Sequence, residues 1–499
     1  MGSSSSPLCS SSNNLNLHFV FIPLMAPGHL LPMVDMAKLL ARRNIVKVTI
    51  VTTPLNSIQF KETIERETQS GSPIQIQLVS FPNAESGIPE GCESLDTLPS
   101  IDLAKKFMVA LSLMQRPLED LYEKLTPTPC CIIYDKHIIC VADIARKFNV
   151  PRILFDGTNC FHLLCNHNLH VSKVYETLSP QEMFLVPGIP DRIGLRRSQL
   201  PGIFNPGEDE ELNACREQVR AAEADAYGVV VNTFEELEVE YVKEYKKISK
   251  IWCVGPVSLS NKDDLEKAIR SKRHSDEDSE NRYMKWLDLW PPSSVVYVCL
   301  GSLNRVTPEQ LIELGLGLEA TNRPFIWVLR CAYRREEMDT WLSESGFEER
   351  VKGRGILIMG WVPQVLILSH KSIGAFLTHC GWNSTLEGIC ASVPLVTFPL
   401  FGEQFYNEKV AVQLVQTGVS VGAESVVHLG EEEKRVVQVT RENVKDGVEK
   451  VMGQGEECDK IRDRARKYGT MAKRAIEEGG SSYCNMSQLI EDIVRMTKA

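Results

Sequence analysis

The sequence lacks any apolar run long enough to make a membrane-spanning helix. None of its 15 cysteines falls in a Cys-x-x-Cys pair, and several, such as Cys130, Cys131 and Cys299, stand inside apolar stretches. A disulfide framework is therefore excluded, and a reducing, cytoplasmic setting is expected. There is no long basic stretch, and 55 Lys and Arg face 65 Asp and Glu for a formal charge of −10. Phosphate-backbone binding to nucleic acid is excluded on that balance. A secretory signal is also missing: residues 1–16 carry no basic region, and the apolar run from Phe19 to Met25 is short and broken by Pro23. Those first residues read as a disordered leader. Gly2 and Ser6 match the N-myristoylation pattern, a match that a serine-rich leader also produces by chance.

What is present is a globular composition, 43% hydrophobic and 24% charged, over 499 residues, too many for one ordinary core. Short β-branched runs alternate with helical patterns, the mark of βα units and parallel sheets. Strands are predicted at 19–22, 48–52, 131–134, 153–155 and 229–232, and again at 295–300, 325–329, 356–359, 375–377 and 395–398. Between the first two, Met33, Met36, Ala37 and Leu40 fit one helical face, with Pro32 suited to its start. Polar residues of both charges follow Gly255-Pro256 and read as a linker. The expected class is α/β, with two doubly wound Rossmann-like domains at 17–255 and 291–478 and a linker at 256–290. A cleft between such domains collects the loops at the carboxyl ends of the strands, where ligands bind.

One glycine motif does not point to chemistry. Gly315-Leu316-Gly317-Leu318-Glu319-Ala320 matches the dinucleotide fingerprint, but Thr307 as cap and Pro308 as first residue start a helix well before it. Its amides are then spent inside the helix, and a nicotinamide or flavin site is not expected. Thr378-His379-Cys380-Gly381-Trp382-Asn383-Ser384 is different, because a strand there turns into a helix over 384–390 with Asn383 or Ser384 as cap. Free amides and the positive end of the helix favour an anion, with His379 as a further donor or a charge. The same residues also describe a well-capped helix with a buried histidine.

The setting decides. From Trp361 to Gln404 the sequence WVPQVLILSHKSIGAFLTHCGWNSTLEGICASVPLVTFPLFGEQ resembles, nearly position for position, the 44-residue signature of plant family 1 UDP-dependent glycosyltransferases. The likeness extends through the MAPGHLLPMVDMAKLLA, VVNTFEELE, VYVCLGS and EEGGSS segments, and is greatest to the subgroup that glucosylates flavonoids, sapogenins and steroid-like alcohols. It implies a GT-B arrangement, with a final helix in 479–499 crossing back to the first domain. By the same resemblance Trp361 would stack on uracil, the Val362 backbone would pair with the base, and Gln364 and Glu387 would hold the ribose. Ser302, His379, Asn383 and Ser384 would bind the diphosphate, and Trp382, Glu403 and Gln404 would surround the sugar, which Gln404 suggests is glucose. Ser392, Phe398 and Glu403 depart from the family's common Gly, Trp and Asp. UDP-sugar is a co-substrate, so no cofactor and no metal are expected, and the protein is expected to be a monomer.

In the first half, Gly28 allows a tight turn after the first strand and His29 projects from that loop into the cleft. Asp135 stands at the end of a later strand, where it could equally be an ordinary helix cap. The resemblance assigns these two as the catalytic pair. An alcohol is too weak an acid to ionise unaided near neutral pH, whereas an imidazole can take its proton as the oxygen attacks. Asp156 and Thr158 are possible sugar or acceptor contacts, or an Asp-Gly turn. Loops at about 83–110, 157–165 and 183–206, with few fixed charges, suit a bulky apolar acceptor with a hydroxyl or carboxyl. The expected activity is inverting transfer of glucose to a triterpenoid sapogenin or flavonoid. The alternatives are galactose, xylose or glucuronic acid as donor sugar, extension of a sugar already on a saponin, and a non-catalytic sugar-nucleotide binder.

Overall fold

The computed structural model describes residues 17–270, 277–303, 305–330, 333–428, 430–434 and 437–498. The leader at 1–16, with Gly2 and Ser6, and residues 271–276 of the linker lie outside them. The first half builds a parallel sheet from β1 (Leu17–Ile22), β2 (Val46–Thr52), β3 (Ile74–Leu78), β4 (Cys131–Asp135) and β5 (Arg152–Asp156). A small antiparallel hairpin, β6 (Met183–Leu185) and β7 (Gly194–Arg196), precedes the last two strands, β8 (Gly228–Val231) and β9 (Ile251–Cys253). The strand order is β3-β2-β1-β4-β5-β8-β9. The second half repeats the plan with β10 (Val295–Cys299), β11 (Phe325–Leu329), β12 (Gly355–Met359), β13 (Ile373–Thr378), β14 (Leu395–Thr397) and β15 (Gly418–Ser420), ordered β12-β11-β10-β13-β14-β15.

The central strands are buried on both faces, which is why they read as near-continuous apolar runs. Along β1, Val20 and Ile22 enter one core cluster while Phe19 and Phe21 enter another on the opposite face. In each sheet the order reverses beside the first strand, between β1 and β4 and between β10 and β13. These are the crevices where a doubly wound sheet binds ligands.

The helix after β1 runs over Pro27–Ala41, so it begins at Pro27 and encloses Pro32, contrary to the expected start. Pro27 presets the first helical φ. Pro32 has no N–H to bond the carbonyl four residues back, that of Gly28, which instead accepts from Asn383 Nδ2 in the second lobe at 2.5 Å. Gly28 itself has helical backbone and makes no tight turn.

The last helix spans Ser481–Lys498, within the expected 479–499 segment. It packs back on the first lobe, placing Met486, Leu489, Ile490 and Ile493 in that lobe's core. Trp252 Nε1 donates to Asp492 there at 3.2 Å.

Candidate active site

Both switch points open into one cavity of about 900 Å³. His29 lies in the first turn of the 27–41 helix rather than in a preceding loop, and its Nδ1 is 2.7 Å from Oδ2 of Asp135. Asp135 ends β4, the neighbour of β1, and is buried. An ionised carboxylate only accepts, so the proton sits on Nδ1 and His29 Nε2 is left as a lone pair. Burial lowers the His29 pKa, but the charge and hydrogen bond of Asp135, helped by Glu403, outweigh it and hold the imidazole above its ordinary value. Burial would raise the pKa of Asp135, yet the imidazoles of His29 and His137 keep it well below the usual carboxylate range.

His137 was not anticipated. Its Nδ1 is 2.7 Å from the other carboxylate oxygen, Oδ1, which also accepts its backbone N–H at 3.0 Å. The two rings meet edge to face, centroids 5.3 Å apart. The signal was a second histidine two positions past the strand-end aspartate. Among the described residues, these three form a His/Asp grouping with ligand atoms within 4.8 Å of one another. Both Nδ1 atoms are engaged by the carboxylate.

Across the cavity, Ser302 follows β10 and His379 follows β13, side by side at the second switch point. The helix after His379 is Trp382–Cys390, starting two residues earlier than predicted with no side-chain cap. Asn383 and Ser384 are therefore in its first turn. Burial pushes His379 down to about 4, which leaves its ring neutral here. Among the described residues its buried Nδ1 has no hydrogen-bond partner. Asn383, beside its bond to Gly28, accepts from Asn232 Nδ2 at 3.3 Å. Trp382 is buried between the lobes, its indole N–H donating to the Asn232 carbonyl at 2.7 Å.

Gln364 Nε2 donates to Ser384 Oγ at 2.9 Å and to Glu387 Oε2 at 2.8 Å, linking three of the expected donor-binding residues. Glu387 Oε1 is held by Arg270 Nη1 at 2.7 Å, while Arg270 Nε reaches Asp35 Oδ2 at 2.7 Å. Arg270 comes from the linker, and nothing in that polar stretch singled it out. The Arg330 guanidinium lies 4.6 Å from the Trp361 ring centre, and the Val362 carbonyl accepts from Gln364 N at 2.9 Å. Gln404 Oε1 accepts from the N–H groups of Leu400 and Phe401 at 2.8 and 3.0 Å, which leaves its NH₂ to donate. Burial raises the Glu403 carboxyl above its ordinary value.

Asp156 ends β5 and accepts from the Thr158 hydroxyl at 2.6 Å and from Lys136 at 3.1 Å. Burial would raise its pKa, but Lys136 and these hydrogen bonds hold it at about 2. Lys136 also pairs with Glu223 at 3.2 Å. Of the anticipated acceptor loops, Leu95, Met108, Leu163 and Phe204 line the cavity, but so do Lys136, Arg216, Arg220 and Glu223. These four charges lie outside the anticipated loops: the helix Glu210–Glu223, unremarked in the sequence, brings three of them.

Residues 283–444 match the model of the UDP-glucoronosyl and UDP-glucosyl transferases, and residues 16–259 that of a glycosyltransferase N-terminal domain. UDP-glycosyltransferase 73C12 of Barbarea vulgaris is 48% identical over 97% of each chain. UDP-glycosyltransferase 73C1 of Arabidopsis thaliana is 48% identical over 96% of this chain and 97% of its own. The crystal structure of Glycyrrhiza uralensis UGT73P12 complexed with glycyrrhetinic acid 3-O-monoglucuronide superposes with a TM-score of 0.89, at 35% identity over 97% of this chain and 96% of that one. With two Rossmann-like lobes and this degree of identity along its length, the chain belongs to the UDP-glycosyltransferases, enzymes of GT-B fold that use a UDP-sugar donor.

Proposed function

We propose that the enzyme transfers glucose from UDP-glucose to a hydroxyl or carboxyl of a bulky plant small molecule, such as a triterpenoid sapogenin or a flavonoid, giving a β-glucoside. The observation that carries this reading is the His29–Asp135 pair at 2.7 Å, in the same cavity as the 361–404 segment. His29 Nε2 takes the acceptor proton while the acceptor oxygen forms its bond to the anomeric carbon. The bond from that carbon to the diphosphate breaks on the opposite face, and UDP leaves with the electron pair. One displacement inverts the α-linked donor. The Asp135 carboxylate orients the ring and stabilises the imidazolium. The amides opening the Trp382–Cys390 helix, with Asn383, Ser384, Ser302 and the neutral His379 as donor, would meet the charge developing on UDP. No step of this scheme calls for a metal.

Glucose is favoured by the NH₂ group of Gln404, aimed by the two backbone contacts of its carbonyl oxygen. A cavity of about 900 Å³ suits a nucleotide sugar beside a large acceptor. The relative from Glycyrrhiza uralensis is complexed with a molecule of that bulk, glycyrrhetinic acid 3-O-monoglucuronide. The charged wall of Lys136, Arg216, Arg220 and Glu223 favours one second reading, extension of a sugar already present on the acceptor.

A screen of UDP-glucose, UDP-galactose, UDP-xylose and UDP-glucuronic acid against aglycones and their monoglycosides, read by product mass, tests both readings. The expected result is a hexose added from UDP-glucose. His29→Ala should lower turnover about 10²- to 10⁴-fold while UDP-sugar binding persists. Full activity in that variant would remove the proposed base, and no product with any donor would leave a binding protein.

A further inference from the structure

We propose that His137 is a positioning residue for sugar transfer: its Nδ1–H occupies one oxygen of Asp135, leaves the other to His29, and so sets the pH at which His29 becomes a base. The inference rests on the reading of His29 as that base.

The geometry is symmetric about the carboxylate. Oδ2 faces His29 Nδ1 and Oδ1 faces His137 Nδ1, each at 2.7 Å. Asp135 side-chain exposure is 3%, so its charge is shared with these neighbours and little with water. A carboxylate that accepts from two rings gives less of its charge to each than one that accepts from a single ring. His137 thereby lowers the basicity that Asp135 confers on His29. It also fixes the carboxylate plane, a task shared with the His137 backbone N–H, which reaches the same oxygen at 3.0 Å and survives replacement of the side chain.

The other charged groups around the pair come from three directions. Lys136, on the same loop, is drawn away into its pairs with Asp156 of β5 and with Glu223. Glu403 approaches His29 from the second lobe. None of these donates to Asp135 Oδ1, so none can replace the missing ring. Asparagine can, because its amide nitrogen lies near the position of the imidazole Nδ1 and carries a neutral donor.

The test reads His29 directly. In full-length protein labelled with ¹⁵N-histidine, the His29 ring is assigned by its loss in His29→Gln and titrated by NMR. In His137→Ala the His29 midpoint should rise by about 0.5 to 1 pH unit. In His137→Asn it should stay at the wild-type position. The acid limb of kcat/KM for glucosyl transfer should follow the His29 midpoint, shifted in His137→Ala and unshifted in His137→Asn, whatever happens to the plateau. A role limited to packing would lower the plateau in both and move neither midpoint. Should His137→Ala fold poorly, the wild-type spectrum still decides: the neutral His137 ring must carry its proton on Nδ1. An Nε2–H tautomer there, or an unmoved His29 midpoint in His137→Ala, would overturn the assignment. The base reading fails separately, through undiminished turnover in His29→Gln.

Discussion

At the residue scale the enzyme's pH response follows from one ion pair. The pKa of His29 is held above 6.5, chiefly by Asp135 acting against burial, and the base must be unprotonated to work. The acid limb of kcat/KM should therefore have its midpoint above pH 6.5, and a profile flat from pH 5 to 8 would contradict the assignment. The sign for stability runs the other way. A group whose folded pKa is raised stabilises the fold fully below its unfolded value, near 6.5, and loses that contribution as pH rises through the raised one. His29→Ala should then cost more stability near pH 6 than near pH 9, as measured by denaturant unfolding. Asp135→Asn removes the charge and presents an amide that cannot accept from both rings. One imidazole must turn or change tautomer, and kcat should fall on the order of 10³-fold.

At the element scale, two small features gain a physical role. The glycines of the 315–320 motif are late in the helix Pro308–Ala320, as the cap at Thr307 predicted, and they serve packing. A Cβ on Gly317 would lie 2.6 Å from Val444 Cβ and 2.8 Å from the Arg441 carbonyl. Gly317→Ala should destabilise by about 1 to 3 kcal/mol despite its better helix propensity, visible as a fall of several degrees in Tm. Pro32 acts by what it lacks. Pro32→Ala would give the Gly28 carbonyl a helical partner again, so the stability cost of Asn383→Ala should shrink in that background. A double-mutant cycle should show about 0.5 to 1 kcal/mol of coupling, and strict additivity would count against the shared carbonyl. These elements also show what sequence alone conveys. The central strands were legible because burial on both faces makes them unbroken apolar runs. The edge strand β3, IQIQL, alternates and was passed over, and β9 and β15 are three residues long, too short to show a period. The segment 361–404 and His29 with Asp135 were legible through family likeness, and adjacency of β1 and β4 brought the pair together. His137 and Arg270 were not legible, because their meaning comes from which chain segments meet in space.

At the scale of the whole molecule, the lobes are joined by buried polar contacts as well as by apolar packing. Arg270 carries two of these: side-chain exposure is 9% for it, 2% for Asp35 and 5% for Glu387, one carboxylate from each lobe. Among the described residues, Arg270→Met would leave Asp35 hydrogen-bonded to Ser260 and Asn261, and Glu387 to Gln364. Removing one member of such a buried set typically costs about 3 to 5 kcal/mol, so a clear drop in unfolding temperature is expected. Donor binding supplies the sharper measurement. A UDP-sugar brings a dianion into a cavity that Glu387 and Arg270 both line, and without the guanidinium two carboxylates are left uncompensated nearby. At an effective dielectric near 20 that repulsion is worth on the order of 1 to 2 kcal/mol, which predicts a Kd for UDP roughly tenfold weaker by calorimetry. Tighter binding in Arg270→Met would mean the reverse, that the bridge restrains Glu387 from the ribose and donor entry has to break it. The two signs separate a scaffold that completes the nucleotide site from a latch that guards it, and the net charge of the set favours the scaffold.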